Sequence, residues 1–299
     1  MPSAVRIHPV WKRVVRFLAE DGQEYCGEPV DAELDVGLAM ADREPVLVKV
    51  LDAKSALDLD AVFTGEVKTA ILILSPLTLS EVGTIRCVGL NYTDHAAEMK
   101  LSIPKHPEIF FKPNTCAHGP VETLTIPHEA AGQADPEVEL AVIIKKDCKN
   151  VSVGHALDYV LGYMTSNDVT ARVVQTRGSQ WGYSKGFDQF APMGPTIVSA
   201  ESIPDPSVLW LKTTLDGAVM QDKPAKNMIF SVAEIISYLS VGTTLKAGTV
   251  ILTGTPSGIG HSHSPPLYLK EGSVLRLSIS HGLGTLVNPI AQEAPVVLE

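Results

Sequence analysis

The sequence predicts a mixed, β-dominated α+β fold. Short apolar runs with strand-type alternation outnumber helical patterns, and the helical patterns are brief. Strands do not alternate with long amphipathic helices, as a doubly wound sheet would require. The chain has 299 residues, 45% hydrophobic and 19% charged, which is ample apolar material for a sizeable core. No internal repeat or low-complexity linker interrupts it.

Residues 1–80 read as a small N-terminal β-rich domain. Val14, Val15, Phe17 and Leu18 precede a turn at Asp21-Gly22, Tyr25 and Cys26 follow it, and Pro45 to Leu51 forms another strand. This part shows no chemistry and reads as a packing or dimerisation lobe. Residues 81–299 read as the main domain. Thr84 to Gly89 is its first strand, Asp94 to Lys100 a short helix, and Pro107 to Phe111 a strand; residues 114–136 are loop-rich. The run E-V-E-L-A-V-I-I (137–144) alternates as a strand, and the apolar stretch Ala156 to Met164 leads into Asp168. Leu209 to Leu215 is a β run ending at the Asp216-Gly217 turn. The helix Ser231 to Ser240 opens on a capping box, Ser231 with Glu234, and gathers Val232, Ile235, Ile236 and Leu239 on one face. Thr249 to Leu252 reads as a buried strand, and residues 274–279 and 284–287 as a β pair around His281-Gly282.

The net charge of −10 and pI of about 5.4 argue against nucleic acid or an anionic membrane as partner. They leave room for a small anionic substrate, because a local cation can reverse the field inside a cleft. The cysteines, Cys26, Cys87, Cys116 and Cys148, are dispersed, with no C-x-x-C and no zinc-like spacing. They read as thiols in a reducing compartment. The opening M-P-S-A-V-R-I-H-P-V-W-K-R lacks the apolar core of a secretory signal, and no apolar run approaches the roughly 20 residues needed to span a bilayer. The expectation is a cytoplasmic protein.

Three acidic residues carry most of the chemical information. On a strand, Glu137 and Glu139 share one face with Ala141 and Ile143. Two such carboxylates repel, so a cation sits between them or one stays protonated. A hard divalent ion with oxygen ligands satisfies them; a strand with one wet face is the alternative. Asp168, in S-N-D-V-T-A-R, is a third candidate ligand, or else a turn or cap residue. Arg172 and Gln175 follow it by four and seven positions, so a helix starting at Asp168 would align all three. Arg172 could hold a carboxylate with its planar fork, or lie on the surface. His95 and Glu98 share a helix face: either a carboxylate-oriented general base or an exposed pair. Lys185, set between Gly182 and Gly186, could neutralise a developing enolate or be a solvated loop lysine. T-G-T-P-S-G-I-G (253–260) has no G-K-[ST] ending, and no G-x-S-x-G occurs, which excludes a phosphate loop and a serine-hydrolase elbow.

Taken together, the segments C-V-G-L-N-Y-T-D-H-A-A-E (87–98), F-F-K-P (110–113), E-V-E-L-A-V-I-I-K-K (137–146), L-D-Y-V-L-G-Y-M-T-S-N-D-V-T-A-R (157–172), S-Q-W-G-Y-S-K-G-F-D (179–188) and V-I-L-T-G-T-P-S-G-I-G (250–260) resemble the fumarylacetoacetate hydrolase family. The resemblance implies a twisted β-roll closed into a barrel-like core, with a smaller N-terminal lobe and assembly as a homodimer. It implies Mg²⁺ (or Mn²⁺) bound by Glu137, Glu139 and Asp168, and a catalytic His95–Glu98 dyad on a lid segment. It also implies a lysine, Lys185, near the metal, and substrate contacts from Arg172, Gln175 and Thr255. Pro136, Lys145 (in place of the glycine of V-I-G-K), Val173 and H-S-H-S-P-P (261–266) depart from the family pattern without removing a ligand.

Family substrates are 2-oxo acids and 1,3-diketones. The implied reaction is hydrolysis of a C–C bond in an acylpyruvate, with the metal stabilising an enolate and the dyad activating water. Oxaloacetate decarboxylation or keto–enol tautomerisation at the same site are the alternatives, and a non-catalytic small-acid-binding dimer a third.

Overall fold

Strand-forming segments dominate the structure, a computed structural model that describes residues 8–295. Met1 to Ile7, part of the opening stretch read above for the lack of a leader, lie outside the described residues. An 11-stranded sheet and a 5-stranded sheet make up most of the molecule. The small end of the larger sheet is built by Glu24–Pro29, Val46–Leu51, Phe63–Leu74 and Arg13–Ala19, all antiparallel. Their inward side chains, among them Val15, Phe17, Val46, Val48 and Ile73, form a core cluster of their own. Arg13–Ala19 then pairs with Ala191–Ser199, which continues the same sheet into the rest of the chain. Phe63–Leu74 escapes the sequence reading because T-G-E-V in its first half is exposed on both faces and has no apolar period.

Beyond that junction the sheet runs through Val160–Asn167, Val138–Ile144, Val250–Leu252, Ile85–Gly89 and Glu108–Lys112. Every residue of Val138–Ile144 and Val160–Asn167 is buried, so these two central strands are covered on both faces. Trp210–Leu215 and Val274–Ile279, from the smaller sheet, pack against them. The helix Val232–Ser240 is a single amphipathic element whose buried face is Val232, Ile235, Ile236 and Leu239.

Two expectations are corrected, for the helices at His95 and Asp168, and the apolar stretch between them is resolved into elements. The helix expected to run to Lys100 spans Thr93–Glu98. The apolar stretch before Asp168 divides into a 3₁₀ segment, Val153–Tyr159, and the strand Val160–Asn167. The helix expected to start at Asp168 starts at Arg172, because Thr170–Ala171 pairs with Ala134–Asp135 and keeps the backbone extended up to that point. Asp168 and Arg172 therefore share no helical face. The four cysteines are free and buried. No helix among the described residues is long and apolar enough to cross a membrane.

The capping box at Ser231 generates a prediction. Glu234 accepts from the Ser231 hydroxyl (2.7 Å) and the Ser231 N–H (2.8 Å), which holds its carboxyl below the ordinary value of 4.5. A lowered folded-state value means that its stabilisation is complete above that ordinary value and is lost as the pH falls through the folded-state one. Acid denaturation of Glu234→Gln should therefore converge with wild type at low pH, while Ser231→Ala lowers stability at neutral pH by about 1 kcal/mol in urea melts.

Candidate active site

The pairing of two central strands brings the acidic residues together. Val138 lies opposite Asn167 and Glu139 opposite Ser166 in the antiparallel ladder. Just beyond the ladder, the Asp168 N–H donates to the Glu137 carbonyl (2.9 Å) and the Asn167 side chain accepts from the Glu137 N–H (3.0 Å). Asp168 is thereby fixed beside Glu137. One carboxylate oxygen each from Glu137, Glu139 and Asp168 lies within 4.8 Å of the others, and all three residues are buried. The wet-face alternative for Glu137 and Glu139 is thus excluded, since they are only 4% and 2% exposed.

Buried carboxylates need compensation. The Lys185 ammonium donates to Glu137 (2.9 Å), Asp168 (2.7 Å) and the Thr170 hydroxyl (2.6 Å). Lys112 donates to the other Asp168 oxygen at 2.5 Å. Arg172 places Nε on Asp135 (2.8 Å) and Nη2 on Glu137. Burial alone would lower Lys185 and Arg172, but Asp168 and Glu137 around the lysine, and Glu137 and Asp135 around the arginine, raise both above their usual range. Burial also pushes Glu137 up, and Lys185 and Arg172 overcome it, leaving that carboxyl well below the usual range.

Glu139 stands apart. Burial, with repulsion from Asp168 and Glu137, holds its carboxyl well above the ordinary range. Among the described residues its side chain has one hydrogen-bond donor, the Gly254 N–H at 2.7 Å. That bond depends on glycine: Gly254 has φ +91°, and a Cβ there would sit 2.8 Å from Asn91 Cβ. The buried cations Lys112, Lys185 and Arg172 face the buried carboxyl groups Asp135, Glu137, Glu139 and Asp168, so the acidic groups outnumber the basic ones by one. An all-oxygen donor set with an under-compensated glutamate fits a hard divalent cation, which Glu137, Glu139 and Asp168 would hold.

The helix Thr93–Glu98 brings the dyad to the same cleft. His95 Nδ1 lies 3.1 Å from Glu98 Oε2, and Glu98 Oε1 accepts from the Gly258 N–H at 2.8 Å. Asp94 accepts from the Ser257 hydroxyl at 2.9 Å. Before the helix, the Asn91 amide donates to the Thr253 carbonyl (2.8 Å) and its oxygen accepts from the Phe230 N–H (2.8 Å). Both ends of the helix are thus tied to the body of the protein.

The cleft has a volume of about 620 Å³. One end is formed by the carboxylates, Lys185 and His95; the walls include Leu90, Met99, Leu101, Phe110 and Trp181. Trp181 meets Phe110 edge-on at 5.7 Å between ring centroids, and reaches that position because Gly89 has no side chain: a Cβ there would sit 2.2 Å from the indole. Arg172, Gln175 and Thr255 also line the cleft. The Arg172 guanidinium already spans Asp135, Glu137 and Gln175 (3.3 Å to Oε1). The Thr255 hydroxyl donates to the Val138 carbonyl (2.9 Å) and accepts from Gln221 (2.7 Å). Lys112, Asp135, Gln221 and Trp181 were given no role from the sequence.

The family profile described as fumarylacetoacetate (FAA) hydrolase C-terminal matches residues 84–291. The chain is 40% identical over 293 residues to a caffeoylpyruvate hydrolase of Neonothopanus nambi, covering 96% of each chain. It is 45% identical over 221 residues to a fumarylacetoacetate hydrolase domain-containing protein 2 homolog of Dictyostelium discoideum, covering 70% of this chain and 72% of that one. Among solved structures, 2-hydroxyhepta-2,4-diene-1,7-dioate isomerase from Mycobacterium marinum superposes with a TM-score of 0.78 at 33% identity, over 95% of this chain and 100% of that one. The fumarylacetoacetate hydrolase from Exiguobacterium antarcticum does so with a TM-score of 0.75 at 32% identity, over 94% and 99%. The matched span and these near full-length similarities establish that the chain is an enzyme of the fumarylacetoacetate hydrolase family.

Proposed function

We propose that the protein hydrolyses the C–C bond of an acylpyruvate in a divalent-metal-dependent reaction. The observation that carries this reading is the meeting, in one cleft, of the Glu137–Glu139–Asp168 triad, the His95–Glu98 pair and an apolar wall. The similarity to a caffeoylpyruvate hydrolase supports the same substrate class.

A bound Mg²⁺ or Mn²⁺ supplies Lewis acidity and positive charge to the 2-oxo-acid end of the substrate. Lys185, at the same end, adds a fixed positive charge where enolate charge develops. With His95 Nδ1–H directed at Glu98, Nε2 carries the lone pair and takes a proton from water. The resulting hydroxide adds to the distal carbonyl. The bond from that carbonyl carbon to the methylene then breaks, its electron pair passing into the 2-oxo acid as an enolate. The proton held on His95 is delivered to the methylene carbon, giving pyruvate, and the acyl half leaves as a carboxylic acid. The acyl group lies against Phe110, Trp181 and Leu101, which exclude water from that side.

A second reading, proton shuttling by His95 without water attack, accords with the isomerase named among the similar structures. It covers oxaloacetate tautomerisation, and decarboxylation needs only the enolate stabilisation. Assays of the pure protein with acylpyruvates and with oxaloacetate separate the readings: the primary proposal expects release of pyruvate and an acid from the former at least tenfold faster than any turnover of the latter.

Mg²⁺ at 100 times its Kd should raise stability by about 2.7 kcal/mol, read as a shift in the thermal transition, and oxalate, a bidentate enolate mimic, should raise it further. No response to either would contradict the metal assignment. His95→Ala should lower kcat by roughly 100-fold or more while the Mg²⁺-dependent thermal shift persists. Loss of both together would contradict the separate roles given to dyad and triad.

A further inference from the structure

The strand that carries Glu139 at one end delivers Lys145 at the other, about 20 Å away at strand rise. Lys145 does not enter the catalytic cleft. It lines a separate cavity of about 420 Å³ with Tyr163, from the neighbouring strand. Lys145 is 9% exposed and Tyr163 1%. Neither the Lys145 ammonium nor the Tyr163 hydroxyl has a hydrogen-bond or ion-pair partner among the described residues.

The carboxylates at this cavity, Glu201 and Asp158, each have a histidine beside them at the surface and act on Lys145 from beyond ion-pair distance. Glu201 is paired with His8 (3.0 Å) and Asp158 with His155 (3.1 Å). The Lys146 ammonium lies over the Tyr159 ring at 4.7 Å. Two donors remain, an N–H and an O–H, and both lack an acceptor. Both open on the cavity, and an ammonium flanked by apolar walls attracts a counter-anion more strongly than one in bulk water. The walls between them, Leu157, Val160, Leu161 and Pro204, are apolar and would exclude a strongly hydrated inorganic ion in favour of a ligand with an apolar body. Burial and the adjacent Lys146 hold the Lys145 amine below the usual lysine range, against the opposing pull of Asp158 and Glu201.

We propose that this cavity is a second binding site, for a small organic monocarboxylate, with Lys145 and Tyr163 holding the carboxylate and Leu157, Val160 and Leu161 its apolar body. The site is independent of the catalytic centre and of the activity proposed above.

Calorimetric titration of the full chain with benzoate, and separately with hexanoate, tests it. Wild type should show a binding component with a Kd below about 1 mM. Lys145→Gln should weaken that component at least tenfold and Tyr163→Phe about threefold, whereas Lys146→Met should change it less than twofold. Any carboxylate binding in the catalytic cleft would be common to all four proteins, so the difference between wild type and Lys145→Gln isolates the second site. An unchanged thermal transition and unchanged turnover without benzoate establish that the variants are folded. Absence of binding to wild type, or equal isotherms for wild type and both Lys145→Gln and Tyr163→Phe, would overturn the proposal.

Discussion

The constraint on which the rest of the structure depends is the burial of a carboxylate cluster between two central strands. Glu137, Glu139 and Asp168 are nearly inaccessible, and Asp135 is fully buried behind them. Bringing such groups out of water is tolerated only when each finds a cation or several donors. The surrounding chain is arranged to supply them. The strand Glu108–Lys112 ends where Lys112 reaches Asp168, and the turn of helix Gly182–Lys185 ends where Lys185 bridges Asp168 and Glu137. The short helix Arg172–Gln175 begins where its first residue can join Asp135 to Glu137. Segments far apart in sequence are thus pinned around one electrostatic knot, and removal of one partner leaves another charge buried and unpaired.

The same knot makes the lining of the cleft unequal. Glu137, Asp168, Lys112, Lys185 and Arg172 each have two or more partners, so their geometry is fixed before substrate arrives. Elsewhere along the walls, Trp181, Leu101 and Met99 offer area without directional demands, while Phe110 lies under the Lys185 ammonium, 5.0 Å from its ring centroid. Preorganised charge at one side and adaptable apolar surface at the other suit a molecule with an anionic head and a variable body. Arg172 and Thr255 illustrate the division. Both line the cleft, yet their polar atoms are committed to Asp135, Glu137, Val138 and Gln221, so they shape the site and hold other residues in place.

Much of this was legible in the sequence because the chemistry follows strand periodicity. E-V-E-L-A-V-I-I read as a strand, and its glutamates met Asp168. His95 and Glu98 met because helical residues three apart share a face. The same periodicity held information that went unread. In F-F-K-P, alternation puts Lys112 on the buried face with Phe110 while Phe111 points outward, and a lysine on a buried face implies a carboxylate partner. In D-P-E-V-E, Asp135 continues the series of Glu137 and Glu139. The helix expected from Asp168 failed for a non-local reason: the pairing of Thr170–Ala171 with Ala134–Asp135 joins segments more than thirty residues apart, and no local propensity encodes it. Gln221, whose amide joins Thr255 to Thr213 and to the Val138 N–H, is likewise visible only once the two sheets are stacked.

A cation at the knot would reconcile the protein's net charge of −10 with the anionic substrate proposed above. Surface charge acts through water and salt and fades within about 10 Å. Inside the cleft the nearest charges dominate, and there the carboxylates outnumber Lys112, Lys185 and Arg172 by a single group. A divalent cation held by Glu137, Glu139 and Asp168 would leave the floor of the cleft positive. A 2-oxo acid, one carboxylate with an adjacent keto oxygen, would then meet local attraction in spite of the global repulsion. Without the cation, the same floor offers it no net positive charge. Substrate affinity and metal loading would in this way be coupled through charge alone, whichever bond the enzyme goes on to break.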